Sequence, residues 1–340
     1  MRTVWKALPH QYIERNTGRI LNERLIADRA IRLLYSRARE STPQLFHALT
    51  SARISSFLGF IHYDLELKSP RVRAFKFFES CGIDWRECVD DPQKFRTLRD
   101  VFERKIRYWE CRPMTADPRA VTSPADARVL MGSFSDTSDL FLKDKFFAFD
   151  QLIGSWKQRW LEAFHHGDFA VFRLTPDKYH YNHTPVAGIV QDHYELPGSY
   201  HSCNPSAVLA ESTPYSKNKR VVTVIDTDTA QGTRVGLVAM IEIVALMIGE
   251  VVQCYSEARY DDPKDVVPGM FLKKGCPKSL YRPGSSTDVL LFQRGRVTFD
   301  ADLLRNQHRS GVESRFSMGF GRPLVETDVK VRCRIGTGIG

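Results

Sequence analysis

The sequence LYRPGSSTDVLLF, residues 280–292, places a Pro-Gly turn directly ahead of two serines, a threonine and an apolar run. Proline fixes φ and glycine accepts positive φ, so the chain can bend sharply just before the hydroxyl groups. The run Val289–Phe292 is short and apolar, which is typical of a buried strand. A hydroxyl held at such a turn can attack the carbonyl group of its own preceding peptide. The stretch alone leaves open a solvated turn, the commoner role of Gly-Ser-Ser, or a self-cleavage site.

The chain carries three further motifs in a fixed order. They are VTSPADARVL (121–130), FRLTPDKYHYNHTPVAG (172–188), and GSYHSCNPSAV (198–208) followed by KNKRVVTVIDTD (217–228). Together with residues 280–292 they resemble the phosphatidylserine decarboxylase family, whose self-cleavage site is a Gly-Ser-Thr or Gly-Ser-Ser triplet ahead of a strand that ends in Phe. The resemblance extends from about Thr97 to Gly321, roughly two thirds of the chain. Four ordered motifs make it specific, whereas one motif alone would be weak.

The resemblance implies roles for four residues. Ser286 matches the serine that attacks the preceding carbonyl, and His183 matches the general base that takes its proton. Asp126 matches the carboxylate that orients this histidine, and His180 matches the histidine of the decarboxylation step. Serine needs a base to act as a nucleophile, and a neutral imidazole needs a partner that fixes its tautomer. Without the resemblance, the histidines would be an ordinary surface pair and Asp126 a turn former or a helix N-cap.

The chemistry implied by the resemblance is self-cleavage between Ser285 and Ser286. Ser286 Oγ attacks the carbonyl of residue 285 to give an ester, and His183 assists its elimination to dehydroalanine, which hydrolyses to a covalent pyruvoyl group and ammonia. The products are a large chain, 1–285, and a small chain, 286–340, which stay together as a heterodimer. The pyruvoyl ketone accepts the electrons released as CO₂ leaves the substrate. His180 reprotonates the α-carbon, and no metal or diffusible cofactor is expected.

Two departures from the family's motifs affect the cleavage site. Ser285 stands where the family usually has glycine, and a side chain there restricts the geometry of the scissile peptide. Cleavage one residue earlier, with Ser285 as the source of the pyruvoyl group, is therefore the alternative to Ser286. Ala127 replaces the glycine that follows Asp126.

Other departures leave the substrate open. The family's lead-in Gly-Asp-Glu-x-Gly-Tyr-Phe is here GCPKSLY (275–281), without the acidic pair. In the strand that the family writes Val-Gly-Ala-Thr-x-Val-Gly-Ser-Ile, glycine, threonine and serine are replaced by Val244, Leu246 and Glu250. The leading hypothesis is decarboxylation of phosphatidylserine to phosphatidylethanolamine. The alternatives are the same chemistry on a soluble amino acid, or a non-processed protein that binds membrane or nucleic acid.

Charge is unevenly distributed along the 340 residues. The formal net charge is +9, and residues 1–80 hold 14 Lys and Arg against 7 Asp and Glu. A basic region of this kind suits nucleic acid or an anionic membrane, or is simply a solvated face. Because the resemblance implies a lipid substrate, phosphatidylserine and an anionic membrane surface are the expected partners, and no nucleic acid is expected.

The seven cysteines are odd in number, contain no CxxC pair and form no Cys/His cluster with metal-site spacing. With no signal peptide at the amino terminus, this pattern predicts a reducing compartment. The apolar stretch Val235–Val252 contains Glu242 and Glu250, which are costly in hydrocarbon, so it predicts two buried strands and no transmembrane helix. The expected location is peripheral, on the cytoplasmic side of a membrane.

The hydrophobic pattern predicts an α+β fold, with a helical amino-terminal region followed by a β-rich catalytic domain. Amphipathic helices are predicted over Asn22–Arg39 and Leu45–Ile61, whose apolar faces lie in a membrane interface or pack on the chain itself. A third is predicted over Pro92–Tyr108, and prolines within Cys111–Ala125 place the domain boundary between 1–115 and 116–340. Beyond it, strands are predicted at 169–174, 186–191, 220–227, 235–245, 248–255, 288–292 and 296–299.

Overall fold

The computed structural model describes residues 9–25, 27–35, 81–135, 145–246, 250–283 and 286–339, with isolated positions at 44, 46, 49–51, 76, 78 and 79. Most of the predicted helix Leu45–Ile61 lies outside these ranges, and so do the turn residues Gly284 and Ser285. The described residues form an α+β fold built on one large sheet with a layer on each face. The predicted α+β class is therefore confirmed, but the predicted helical amino-terminal region is not.

The strands of the described residues, in chain order, are β1 (Gln11–Glu14), β2 (Ile20–Asn22), β3 (Ala120–Thr122), β4 (Ala127–Ser133), β5 (Asp168–Leu174), β6 (Tyr181–His183), β7 (Gly188–Leu196), β8 (Arg220–Asp226), β9 (Leu237–Val244), β10 (Val251–Gln253), β11 (Phe271–Leu272), β12 (Pro277–Tyr281), β13 (Ser286–Phe292), β14 (Val297–Phe299), β15 (Thr327–Val329) and β16 (Arg334–Gly338). The large sheet has ten strands in the order β11-β7-β8-β9-β13-β5-β4-β15-β1-β2. The predicted stretch Val235–Val252 is indeed two strands, β9 and β10.

Strand β13 occupies an interior position of this sheet and pairs antiparallel with β5 on one side and β9 on the other. Successive side chains of a strand point to opposite faces, and both faces of β13 are covered. Val289 and Leu291 belong to one hydrophobic core, whereas Leu290 and Phe292 belong to the other. Burial on both faces explains why the sequence shows a continuous apolar run here, without alternation.

Short helices cover one face of the sheet. The helices of the described residues are α1 (Asp28–Leu33), α2 (Leu98–Phe102), α3 (Tyr108–Cys111), α4 (Phe149–Ile153), α5 (Gln158–Phe164), α6 (Pro205–Ala210), α7 (Pro214–Lys217), α8 (Ala301–Gln307) and α9 (Arg315–Phe320). Residues of α4, α5, α6, α7 and α9 pack with Val289 and Leu291 in one core. The sequence pattern predicted only strands beyond residue 115, because helices of four to seven residues are too short to show a helical period.

Two three-stranded sheets, β10-β12-β6 and β14-β16-β3, cover the other face. Tyr281 of β12, Val121 of β3 and Ile335 of β16 pack with Leu290 and Phe292 in the second core. Strand β6 pairs with β12, so the segment that carries the two histidines lies against the lead-in to the serine motif. This pairing positions the candidate site.

The amino-terminal region differs from its prediction. Strands β1 and β2 form a hairpin, and β1 pairs in parallel with β15 at the edge of the large sheet. The predicted helix Asn22–Arg39 is wrong at its start, since Asn22 lies in β2 and α1 begins only at Asp28. The domain boundary after residue 115 stays a prediction, although β1 pairs with β15, a strand from beyond it.

The predicted continuous helix Pro92–Tyr108 is also wrong. The segment contains a 3₁₀ turn at Pro92–Lys94, then α2, and a new helix, α3, begins at Tyr108. The break follows from local capping, because Thr97 Oγ accepts a hydrogen bond from the backbone N–H of Asp100 while the Asp100 carboxylate accepts one from the backbone N–H of Thr97. A capping box starts a helix, so α2 cannot continue an earlier one.

Candidate active site

Ser286 is the first residue of β13, and it is fully buried. Its register partners are Leu174 of β5 and Val244 of β9, which hold its backbone in the sheet. In the part of the chain that the structure describes, Ser286 Oγ has no hydrogen-bond partner. An unpaired buried hydroxyl is uncommon, and it leaves Ser286 Oγ available as a nucleophile. The predicted cleavage partner, Ser285, lies outside the described residues.

His183, at the end of β6, is fully buried, and both of its ring nitrogens have partners. Nδ1 lies 3.0 Å from the backbone oxygen of Gly275, and Nε2 lies 2.9 Å from Tyr179 Oη. Burial lowers the pKa of His183 to about 3, so the ring is neutral at physiological pH. A carbonyl oxygen only accepts, so Nδ1 carries the proton, and Nε2 is left to accept from Tyr179. A neutral imidazole with a fixed tautomer can serve as a base.

Asp126 is buried and held by Arg112. Arg112 Nε lies 2.9 Å from Asp126 Oδ1, the second guanidinium nitrogen lies 2.7 Å from Oδ2, and the backbone N–H of Val331 donates to Oδ1 at 2.8 Å. Burial by itself would raise the pKa of Asp126, but Arg112 and Lys330 hold it below the ordinary value, so the carboxylate is ionised.

The predicted orienting role of Asp126 stays a prediction. Among the described residues no hydrogen bond joins Asp126 to His183, whose Nδ1 binds Gly275 instead. The two residues do meet at one corner of the fold, because the backbone N–H of His183 donates to the carbonyl oxygen of Pro124 at 2.7 Å, two residues before Asp126. The negative charge of Asp126 is close enough to favour protonation of His183.

His180 lies at the other end of the same segment and is fully buried. Its ring stacks on Phe102 of α2, with centroids 3.5 Å apart. Neither ring nitrogen makes a hydrogen bond within the described residues, and burial together with the nearby Arg104 lowers the pKa of His180 well below its ordinary value. Its backbone oxygen accepts from the N–H of Tyr281, which ties this segment to the lead-in of the serine motif at 3.1 Å.

Sequence reasoning missed three residues at this site, Tyr179, Tyr260 and Arg112. Tyr179 lies within the histidine motif and binds His183, while Tyr260 binds Tyr179 at 2.8 Å. No role at the site was predicted for Arg112, yet its guanidinium group binds Asp126 and also Glu87, the latter at 2.8 Å. An arginine ahead of a proline-rich segment carries no sign of the carboxylate that it pairs with, so only the structure could show the pairing.

A metal-like cluster exists elsewhere, formed by His10, Glu23 and Glu326, whose ligand atoms lie within 4.8 Å of one another. Arg173 binds both carboxylates, with its NH2 nitrogen 2.6 Å from Glu23 Oε2, and Arg128 also contacts Glu23. Because two arginines occupy the carboxylate oxygens, this cluster is a network of buried ion pairs.

Among the described helices, none has both the length and the apolarity to span a bilayer.

A buried serine at the start of a core strand and a buried, neutral histidine with a fixed tautomer are the groups that an internal serine nucleophile needs, although no hydrogen bond joins Ser286 to His183 among the described residues. Comparison with known proteins gives the family. The sequence model of phosphatidylserine decarboxylase matches residues 98–320. The phosphatidylserine decarboxylase proenzyme of Chlamydia trachomatis is 28% identical over 311 residues, covering 91% of this chain and 95% of that protein.

Two other relatives agree. The phosphatidylserine decarboxylase proenzyme of Fusobacterium nucleatum is 26% identical over 312 residues, covering 91% of this chain and 95% of its own. That of Chlamydia muridarum is 31% identical over 240 residues, covering 69% of this chain and 73% of its own. The chain belongs to the phosphatidylserine decarboxylase family, as its motifs predicted, and is therefore a carboxy-lyase.

Proposed function

We propose that the chain is a proenzyme that cleaves itself between Ser285 and Ser286 and then converts phosphatidylserine to phosphatidylethanolamine and CO₂. The observation that carries this proposal is the fully buried hydroxyl of Ser286 at the start of β13, unpaired among the described residues, in a member of this family. Relatives over most of the chain are named as proenzymes, which supports processing here.

Cleavage begins when Ser286 Oγ attacks the carbonyl carbon of residue 285. The C–N bond breaks, an ester to Oγ forms, and the nitrogen of residue 286 becomes an amine. Loss of the Cα proton of residue 286 then expels the carboxylate of residue 285 and leaves dehydroalanine, and water converts this to a ketone with release of ammonia. We assign the proton transfers to His183, because its low pKa keeps it neutral and its Nε2 accepts a hydrogen bond from Tyr179 Oη, although no hydrogen bond joins it to Ser286 among the described residues.

The residues present fit a covalent pyruvoyl group at position 286. The group would be held by the pairing of β13 with β5 and β9, in a position closed to water. Such a group supplies a ketone that accepts the electron pair left by departing CO₂. The ring nitrogens of His180 make no hydrogen bond within the described residues, so the neutral ring has a nitrogen that can take up a proton and return it to the α-carbon of the product. This division of roles between His180 and His183 is part of the proposal.

The two fragments would remain together after cleavage. The small chain, 286–340, contributes β13, which lies between β5 and β9 of the large chain. Buried ion pairs also cross between the fragments, from Arg173 to Glu326 and from Lys178 to Asp328. Separation would expose β13 and leave these charges unpaired, so a stable heterodimer is expected.

We propose phosphatidylserine in an anionic membrane as the substrate, with decarboxylation of a soluble amino acid as the second candidate. The second is kept because Val244, which replaces a family glycine, is the register partner of Ser286. The basic residues Arg29 and Arg32 of α1 support peripheral docking, whereas Arg37 and Arg39 lie outside the described residues. We propose the cytoplasmic face of a membrane as the location, and no nucleic-acid partner.

Denaturing mass spectrometry of the purified protein tests the processing step. We expect fragments 1–285 and 286–340, the second with a blocked, ketone-bearing end. Ser286→Ala should stay a single chain, while Ser285→Ala should still cleave if Ser286 is the source of the ketone. An intact wild-type chain would contradict the proposal. CO₂ release from phosphatidylserine vesicles, compared with release from free serine, separates the two substrates.

A further inference from the structure

Tyr281 ties the end of β12 to the start of β13. Its hydroxyl oxygen lies 3.0 Å from the backbone oxygen of Thr287 and 2.7 Å from Oδ1 of Asp288, and it accepts from the backbone N–H of Ile243 in β9 at 3.0 Å. Tyr281 and Asp288 are both fully buried. The contacts therefore close the chain on itself around the residues that lead to Ser286. Tyr281 stands where the family's lead-in motif ends in Phe, so the sequence motif assigns no role to this hydroxyl.

Asp288 faces the layer between the two sheets, on the same face of β13 as Ser286, because residues two apart on a strand share a face. Its register partner in β9 is Glu242, another buried carboxylate. Glu242 is paired with Lys278 of β12 at 2.6 Å and also accepts from Ser279. The second carboxyl oxygen of Asp288 has no hydrogen-bond partner within the described residues. Lys278 therefore lies close to the carboxyl groups of both Glu242 and Asp288, and its ion pair is with Glu242.

The number of protons available for these hydrogen bonds indicates the protonation state of Asp288. The carbonyl oxygen of Thr287 and an ionised Asp288 would both need the single hydroxyl proton of Tyr281, and protonation of Asp288 removes this conflict, because the acid can then donate to the tyrosine oxygen. Burial and the neighbouring Glu242 raise the pKa of Asp288 well above its ordinary value, in agreement. The ionisable groups that face it are Glu242 from β9 and Lys278 and Tyr281 from β12, while β5 presents Phe172.

We propose that Tyr281 and Asp288 are positioning residues for self-cleavage, with Asp288 acting as a neutral hydrogen-bond donor that fixes the start of β13 and hence Ser286. This inference rests on the proposed function. Neither residue touches the reacting atoms in this scheme. An ionised Asp288 would lose its donor, face Glu242 as a like charge and loosen the strand at the point where Ser286 must attack.

The test follows cleavage of the full-length chain over time after cell-free synthesis, between pH 6 and pH 10. Tyr281→Phe should slow cleavage about tenfold, the effect of one lost positioning hydrogen bond. Its matched control is Tyr255→Phe, which also removes a buried hydroxyl that accepts from a backbone N–H, that of Lys273 at 2.8 Å. The control should cleave at the wild-type rate.

Asp288→Asn should cleave nearly as fast as wild type, because its amide can donate to Tyr281, whereas Asp288→Leu should be slowed at least as much as Tyr281→Phe. Wild type should slow at alkaline pH, and Asp288→Asn should lose this dependence, a change that a purely structural role would not produce. Thermal unfolding in a Ser286→Ala background shows whether each variant folds.

Two results would overturn the inference. Cleavage of Tyr281→Phe at the rate of Tyr255→Phe would remove Tyr281 from the machinery. An unchanged alkaline limb in Asp288→Asn would show that Asp288 is not the titrating group. If wild type itself does not cleave, the proposed function fails first, so the two failures are distinguishable.

Discussion

Replacement of Arg112 by methionine should destabilise the protein strongly by leaving Asp126 buried without a cation. The Arg112 and Asp126 side chains are 4% and 3% exposed, and their charged atoms are 2.7 Å apart. Breaking such a pair from one side costs about 3–5 kcal/mol, because the remaining charge stays desolvated. Asp126→Asn should cost less, since Arg112 keeps its bond to Glu87 at 2.8 Å. The double variant should recover about 2–3 kcal/mol relative to additivity.

The penalty should also depend on pH. In the wild type the pKa of Asp126 is depressed, so its ionisation stabilises the fold above about pH 3.9 and this contribution is lost as the pH falls through the folded value. In Arg112→Met the carboxyl group of Asp126 is buried without its cation, so we expect its pKa to be raised. Its ionisation then lowers the free energy of unfolding, and this loss grows as the pH rises. The cost of Arg112→Met should therefore be smaller near pH 4 than at pH 7. Asp126→Asn should abolish this difference.

Urea unfolding in a Ser286→Ala background measures these free energies on an uncleaved chain. Glu87→Gln is the matched control, because it removes the other partner of Arg112 at a side chain that is 29% exposed, and it should cost about 1 kcal/mol or less. Additive costs for Arg112→Met and Asp126→Asn, with the same penalty at pH 4 and pH 7, would refute the reasoning. They would show that the pair contributes no coupling.

Other expected outcomes address the remaining roles. His183→Ala should impair cleavage, whereas His180→Ala should cleave nearly normally and decarboxylate poorly; equal cleavage defects would contradict this division. Tyr179→Phe should slow cleavage by removing the hydroxyl on His183 Nε2, and an unchanged rate would show that the hydroxyl is dispensable. Vesicle binding should rise with phosphatidylserine content and weaken in high salt, and replacing Arg29, Arg32, Arg37 and Arg39 with Gln should weaken it with cleavage intact. A processed protein that ignores anionic vesicles at low salt would favour a soluble substrate.

Short-range signals were sufficient for much of the catalytic part. The run Val289–Phe292 predicted a buried strand because it is apolar at every position, which fits a strand covered on both faces. Glu242 indicated that its segment is not a membrane helix, and the segment is indeed a strand. The buried charge of Glu242 is compensated by an ion pair with Lys278. The family motifs predicted the two histidines and the serine as site residues.

The amino-terminal hairpin shows where such signals end. Strands β1 and β2 are four and three residues long, and β1 takes its parallel partner, β15, from more than 300 residues later in the chain. Nothing within Gln11–Asn22 indicates that partner. The predicted helix Asn22–Arg39 begins too early in the chain, because polar and apolar residues at the edge of a sheet can match a helical period over a short window.

The sequence by itself determined the family, the α+β class, the interior strand and the residue types of the site, because each depends on local patterns or on ordered motifs. Only the tertiary structure decided which side chains of the site are hydrogen-bond or ion-pair partners. Asp126 is hydrogen-bonded to Arg112, and Asp288 to Tyr281. The ring nitrogens of His183 are hydrogen-bonded to Gly275 and Tyr179. The physical reason is that hydrogen bonds and ion pairs in a buried site join residues distant in sequence, and burial makes each pairing decisive, since an unpaired polar group there is costly.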